Sequence, residues 1–318
     1  MADMRNTKLS VVIPVYYNQD TLVELHQQLS VLTAALADMA VEFIFVDDGS
    51  GDHSFEILKD LAAQDKRVRV VKLARNFGSN AAILAGITYA TGDAAAFVAA
   101  DLQDPPEVLA QMVQTWRDGH KVVFAVRANR DDPPLSHFFA ATFNALFHRL
   151  VLKESPPTGV GFFLIDRQVA DMVVRCEEKN ANLINLIVWL GYRSHHIPYD
   201  RPARQQGTSR WTFRKKIKYA IDTFVAFSYF PIRMASLTGI SLALIGALVI
   251  AYVIFARLFL GVDVEGWASM MIVVLIVSGA QMTMLGILGE YLWRALDQTR
   301  KRPIFVVDAI VEQSSEAK

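Results

Sequence analysis

Two acidic clusters carry most of the chemistry available in this 318-residue chain: Asp47-Asp48-Gly49-Ser50 and Asp101-Leu102-Gln103-Asp104-Pro105-Pro106. Carboxylate and amide oxygens so grouped suit a hard divalent cation of the kind that bridges a diphosphate. Asp and Gly also gather in turns for conformational reasons, so either cluster alone reads as turn chemistry. Rival chemistries lose their supports. No G-x-G-x-x-G follows the first apolar run and no G-x-x-x-x-G-K-S/T occurs anywhere, which removes the main signs of dinucleotide and P-loop sites. A single Cys excludes an intrachain disulfide framework and a four-Cys zinc site, and Cys176 reads as a small core residue in a helical pattern. His195-His196 reads as a surface pair rather than a metal site. With 32 Lys+Arg against 32 Asp+Glu, the chain has no net charge to offer a nucleic acid.

The elements that must position these clusters alternate. Leu9–Ile13, Val41–Val46, Val68–Leu73, Ala94–Ala99 and Lys121–Val126 read as strands. Helical patterns lie between them, near residues 21–39, 51–64, 80–89 and 107–117. Strands that are apolar throughout, alternating with helices, predict an α/β domain with a mostly parallel sheet covered on both faces. Ligands of such sheets collect beyond the carboxyl ends of the strands, where both acidic clusters fall. This domain is expected over residues 1–210.

The rest of the chain has a different solvent. The mean hydropathy of +0.26 is high for a sequence that is 20% charged. It is concentrated in two charge-free runs, 234–256 and 267–289, each long enough as a helix to cross a ~30 Å hydrocarbon core. The alternative is a pair of buried core helices. Arg214, Lys215, Lys216, Lys218 and Arg233 precede the pair, and Arg294, Arg300, Lys301 and Arg302 follow it, while Asp263 and Glu265 lie in the turn. The positive-inside rule then places both ends in the cytoplasm. Gly279, Gly286 and Gly289 are expected to let the helices pack closely, and Gln281 to bond across helices or between hairpins. Residues 211–233 read as an amphipathic segment at the membrane surface, residues 234–293 as the hairpin, and residues 294–318 as a cytoplasmic tail. No secretory signal is apparent at the amino terminus, since the first apolar run meets Pro14 early.

Taken together, the motifs are far more specific than either acidic cluster. Pro14-Val15-Tyr16, Val46-Asp47-Asp48-Gly49-Ser50, Arg75-Asn76-Phe77-Gly78 and Asp101-Leu102-Gln103-Asp104-Pro105-Pro106-Glu107 occur in that order. Arg204-Gln205-Gln206-Gly207-Thr208-Ser209-Arg210 follows, then the two apolar runs, with Gly289-Glu290-Tyr291 closing the second. The set resembles the polyprenyl-phosphate branch of family-2 glycosyltransferases with the GT-A (Rossmann-like) fold, the branch of dolichol-phosphate mannose synthases and bactoprenol glucosyltransferases.

The resemblance implies a role for each matching residue. Pro14, Tyr16, Asp47, Asp48, Asn76 and Gly78 would form the site of a nucleotide-sugar donor. Asp101 and Gln103 would hold Mg2+ or Mn2+ against its diphosphate. Arg127, Arg130, Arg204, Ser209 and Arg210 would bind the phosphate of a polyprenyl phosphate, with Asp101, Arg204 and Ser209 central to transfer. The implied protein is a multi-pass, homo-oligomeric enzyme of the inner (cytoplasmic) membrane with its catalytic domain in the cytoplasm. It would move one sugar, with inversion, to undecaprenyl phosphate for cell-envelope glycan or lipopolysaccharide modification. Two departures stand out. Ala99 replaces the first carboxylate of the Asp-x-Asp-x-Gln pattern, leaving water or Asp104 to complete the cation's shell. Gly161 stands where relatives carry an Asp assigned as a base or an acceptor-site carboxylate, with Asp166 nearby as a helix N-cap or a substitute. The alternatives are a processive or lipid-sugar-extending synthase and a catalytically weakened binding homologue; Gln206–Trp211 misses the Q-x-x-R-W spacing of processive synthases by one residue, and two spans are too few for a polymer channel.

Overall fold

The computed structural model describes residues 7–36, 38–128, 160–179, 182–200, 225, 228, 230–259 and 266–313. Two units are distinguished, one comprising residues 1–215 and 303–318, the other residues 216–302.

In the first unit the chain alternates from β1 (Lys8–Val15) and α1 (Leu22–Ala35) through β2 (Ala40–Asp47), α2 (Ser54–Gln64) and β3 (Val68–Leu73) to α3 (Ser79–Tyr89), β4 (Ala94–Phe97), α4 (Pro106–Arg117) and β5 (Val122–Arg127). It resumes with β6 (Val160–Asp166), α5 (Arg167–Arg175), α6 (Leu183–Trp189) and β7 (Ser194–Tyr199). The sheet order is β7-β5-β6-β4-β1-β2-β3-β8, where β8 is Val307–Val311. β1 pairs in parallel with β2 and β4, β2 with β3, and β5 with β7. β6 runs antiparallel to β4 and β5, so β5 again points the way β4 does. The expected mostly parallel sheet is present, with one reversed strand inside it and one at its edge.

β1, β2 and β4 are largely apolar because both faces are covered. Leu9, Val11, Ile13, Phe43 and Phe45 lie in one buried cluster with residues of α1, α2 and α4. Gly86 of α3 packs so tightly on the other face that a Cβ there would sit 2.1 Å from a methyl of Val12.

β8 corrects one expectation. The stretch read as a tail beyond residue 293 carries the end of a helix and then a strand, which pairs antiparallel with β3. Lys72–Asp308 (3.4 Å) and Arg69–Glu312 (2.7 Å) ion pairs fix its register. Its five residues alternate weakly, so periodicity alone does not reveal the strand.

The second unit is built from α7 (Phe230–Phe259) and α8 (Trp267–Thr299), of 30 and 33 residues. At 1.5 Å per residue they are about 45 and 50 Å long, enough to cross a membrane with turns to spare. Both fit the candidate hairpin, and their apolar side chains are almost wholly exposed, which excludes the reading as buried core helices. Gly279, Gly286 and Gly289 do not serve the close packing expected of them. Among the described residues nothing lies within 4 Å of a Cβ at any of them, whereas one at Gly239 would meet Met284 at 3.1 Å. The Tyr291 hydroxyl donates to the Ser228 carbonyl at 2.9 Å. Of the interface segment 211–233 only residues 225, 228 and 230–233 are described, and the last four already belong to α7.

At the amino-terminal ends of the strands Glu42 is buried beneath the turn that leads into β4. It accepts hydrogen bonds from the Ser10 hydroxyl (2.5 Å) and from the Thr91 backbone N–H (2.8 Å), and it pairs with Lys8 at 2.7 Å. Burial works against its charge, but these partners outweigh burial and hold its pKa below the ordinary 4.5. A lowered carboxylate pKa stabilises the fold above the unfolded value, and that stability is lost as pH falls through the folded one. Glu42→Gln should therefore cost about 1–3 kcal/mol at pH 7 and flatten the acid limb below about pH 4.5. Thermal unfolding of the detergent-solubilised protein from pH 3 to 7 measures both.

Candidate active site

β1 sends the chain to β2 and β3 on one side and, later, to β4 on the other. The reversal falls between β1 and β4, and in open α/β sheets the crevice beyond the carboxyl ends at such a point is where ligands bind. β1 pairs with β2 as far as Val15–Asp47 but with β4 only as far as Val12–Phe97. The two loops that leave β1 and β4 therefore diverge. Pro14 fits there because its missing N–H falls on the side where β4 has already ended.

Beyond β1, Tyr16 and Tyr17 lie exposed, with rings edge to face at 4.7 Å. Tyr17 has φ +57° and Leu102, in the loop after β4, has φ +59°. The left-handed region costs a non-glycine residue about 1–2 kcal/mol, which the surroundings must supply. For Tyr17 they include the Ser50 hydroxyl, which accepts from its N–H at 3.0 Å.

Beyond β2, Asp47 is fully buried. Its Oδ1 accepts from the Ser50 N–H at 3.2 Å, and its Oδ2 has no partner among the described residues. Asp48 is 3% exposed and accepts from the Phe77 N–H at 2.7 Å and the Gly78 N–H at 2.9 Å. It thereby ties the loop after β2 to the one before α3. Burial pushes both carboxyls above the ordinary range. Hydrogen bonds from Ser50 pull Asp47 back in part, and those from Phe77 and Gly78 do the same for Asp48. Gly49 makes the junction possible: its φ is +69°, and a Cβ would lie 2.7 Å from the backbone of Arg75. Asn76 stands exposed on the joined loop beside Arg75, whose guanidinium covers the Phe77 ring at 4.0 Å.

Beyond β4, Val98 to Asp104 form the acidic loop. The Val98 N–H donates to the Val12 carbonyl at 3.0 Å, the Thr21 hydroxyl to the Ala100 carbonyl at 2.6 Å, and the Ala99 N–H to Asp104 Oδ2 at 2.8 Å. The left-handed turn at Leu102 lets the Gln103 N–H reach Asp101 Oδ1 at 3.3 Å. Gln103 is 8% exposed and Asp101 partly exposed. Among the described residues no group of three or more His, Cys, Asp or Glu side chains could hold a metal alone. Arg127 ends β5 on the same edge of the sheet, with a buried Nε that has no partner among the described residues.

The sheet thus brings Pro14, Tyr16, Asp47, Asp48, Asn76, Gly78, Asp101, Gln103 and Arg127 to one edge. Arg130, Arg204, Ser209 and Arg210 lie outside the described residues. Asp166 is excluded as a substitute: it pairs with Ala94 at the far end of β4. There it caps α5, accepting from the Gln168 N–H at 3.0 Å, as its N-cap reading expected. Thr21 was missed by sequence reasoning. Its place before α1 suggests an ordinary cap, yet its hydroxyl makes no cap bond and holds the acidic loop.

The model of the family described as glycosyl transferase family 2 matches residues 10–171, which include the whole of this edge up to β6. The chain belongs to glycosyltransferase family 2. The similarity to family relatives runs nearly end to end. An uncharacterized glycosyltransferase of Bacillus subtilis is 35% identical, covering 95% of this chain and 94% of its own. An undecaprenyl-phosphate 4-deoxy-4-formamido-L-arabinose transferase of Sodalis glossinidius is 33% identical over 98% and 96%. A prophage bactoprenol glucosyl transferase homolog of Escherichia coli is 30% identical over 95% and 99%. The solved mannosyl-3-phosphoglycerate synthase of Rubrobacter xylanophilus shares the GT-A fold at a TM-score of 0.50, with 18% identity over 68% of this chain and 71% of that one.

Asp48 joins two loops at this edge, and the joint can be probed apart from turnover. Asp48→Asn sets an amide NH2 against one of two N–H donors. A lost charge-assisted bond is worth about 1.5–3 kcal/mol, so amide exchange at Phe77 and Gly78 should quicken roughly ten- to a hundredfold. Hydrogen-exchange mass spectrometry on residues 75–80 measures it, and unchanged protection would deny Asp48 this role.

Proposed function

We propose that this family-2 glycosyltransferase transfers one sugar from a nucleotide-sugar to a polyprenyl phosphate, undecaprenyl phosphate in bacteria, at the cytoplasmic face of the inner membrane. The observation that carries this reading is the chain's near-full-length similarity, hairpin included, to relatives named for undecaprenyl-phosphate and bactoprenol substrates. A second observation supports the membrane topology. β7 precedes the two apolar helices and β8 follows them, and both belong to one sheet. The chain must therefore cross a membrane an even number of times between them.

The donor set of the acidic loop fits a divalent cation held jointly with substrate. One carboxylate, Asp101, and one amide oxygen, Gln103, are hard ligands, and Mg2+ is characteristically bound by one or two carboxylates plus phosphates. Mg2+ or Mn2+ bound there would neutralise charge on the departing nucleoside diphosphate. The chain's own groups do the rest. Tyr16 and the loops joined by Asp48 hold the nucleoside. Arg127, whose buried Nε has no partner among the described residues, offers an anion site at the same edge, and Arg204, Ser209, Arg130 and Arg210 complete the hold on the acceptor phosphate. An acceptor phosphate oxygen is already ionised near neutral pH, so little proton abstraction is required and Gly161 in place of an Asp is compatible with turnover. Direct displacement at the anomeric carbon inverts it. The hairpin keeps the reacting groups near the lipid phosphate.

Four measurements test this. Purified protein with Mn2+ and a panel of nucleotide-sugars should release nucleoside diphosphate only when undecaprenyl phosphate is added, and acceptor-independent release or none would overturn the reading. Asp101→Asn should lower that release more than Asp104→Asn at limiting Mn2+. Arg204→Ala should raise the apparent KM for undecaprenyl phosphate roughly ten- to a hundredfold, with Lys failing to rescue and donor Kd nearly unchanged. For topology, a cysteine probe at Val264 should react with a membrane-impermeant reagent added outside, and one at Ser50 should not.

A further inference from the structure

We infer that Tyr199 is a positioning residue for the cation-binding loop, acting through Asp104, and that residue 161 is glycine to admit the Tyr199 hydroxyl. This rests on the proposed role of Asp101 and Gln103 as cation ligands.

Tyr199 is the last residue of β7, next to Arg127 in the sheet, and is 5% exposed. Its ring stands edge-on to Phe162 at 5.3 Å and carries the hydroxyl across to β6. There Ala125 pairs with Phe162 and Val126 with Val160, so Gly161 is the extra residue of a bulge. Bulges re-aim what lies beside them. A Cβ on Gly161 would fall 1.8 Å from the Tyr199 hydroxyl oxygen and 2.8 Å from Cζ, so any other residue expels the phenol. Gly161 is not among the glycines with positive φ, so space and not backbone conformation demands glycine.

The hydroxyl placed by this gap donates to Asp104 Oδ1 at 3.4 Å, while Asp104 Oδ2 accepts from the Ala99 N–H at 2.8 Å. Asp104 therefore faces two protein donors from a buried position, as a brace across the loop rather than a cation ligand. The loop needs bracing because Leu102, between Asp101 and Gln103, is held in the left-handed region. With Ala99 in place of a second carboxylate, Asp101 and Gln103 are the loop's two proposed ligands, and the course of the loop sets where their oxygens stand. The Tyr199–Asp104 contact is long, so its loss should misplace the loop modestly rather than unfold it.

The test is the affinity for Mn2+, read by the electron paramagnetic resonance of the free ion in the presence of UDP or GDP, whichever the wild type binds. Tyr199→Phe removes only the hydroxyl and should raise the apparent Kd for Mn2+ about three- to tenfold, with the melting temperature nearly unchanged. Gly161→Ala should raise it further, and less so in the Tyr199→Phe background, because the two changes disturb one contact. A Tyr199→Phe titration that superposes on wild type, or a melting temperature that falls with Mn2+ affinity intact, overturns the inference while leaving the proposed function standing. A wild type that binds no Mn2+ with either nucleotide overturns the cation reading itself, and this inference with it.

Discussion

β1 is paired with β2 along its whole length and with β4 along only part of it, and this unequal pairing shapes the site. If β4 continued beside β1 to Val15, the backbone groups from Val98 to Ala100 would be spent on a ladder and Pro14 would interrupt it. Because β4 stops at Phe97, the chain is released three residues earlier. The acidic loop can then turn outward beside the crevice where the strand order reverses. The rest of the edge is built to keep that loop in place. Val12, Thr21 and Asp104 each take one backbone group of residues 98–100.

The same edge concentrates the costs of the fold. Two non-glycine residues in the left-handed region, Tyr17 and Leu102, flank the crevice on its β1 and β4 sides. Two adjacent carboxylates are buried beside it, both pushed toward protonation by desolvation. Strain and buried charge persist only where surrounding contacts over-determine them, and they gather where a ligand is to be met by a prepared surface. The opposite end of the sheet shows the contrast. Glu42 there is buried just as deeply, but Lys8, Ser10 and Thr91 satisfy it and its pKa falls instead of rising. One end is arranged for stability and the other retains unmet capacity.

The hairpin follows different physics. Helices whose apolar side chains are nearly all exposed gain nothing from burial in water, and their backbone groups are satisfied internally, as a bilayer requires. Of the glycines in these helices, Gly239 alone is met by the facing helix among the described residues. The strand after the hairpin has the larger consequence. β8 returns the chain to the sheet edge beside β3, so both ends of the hairpin belong to one folded domain.

Much of this was determined by the amino-acid sequence by itself. The alternation of apolar strands with helices, the acidic clusters after β2 and β4, and the two long apolar runs are local patterns that any chain with these residues must express. The family could be read from motif order for the same reason. The tertiary structure alone decided what depends on residues far apart in the chain. β8 pairs with a strand more than two hundred residues earlier, and its short, weak alternation carries no periodic signal. Asp166 read as a helix N-cap with a substitute role in the site still open, until the register of β6 put it at the wrong end of β4. Gly161 read as the loss of a carboxylate until the bulge in β6 and the reach of Tyr199 showed a space that must stay empty of Cβ. Thr21 drew no notice in the sequence, and only folding brought the Ala100 carbonyl, 79 positions away, within 2.6 Å of its hydroxyl. A sequence declares which groups are present. Which of them meet is settled by strand register and close packing, because a one-residue shift in pairing turns a side chain to the other face.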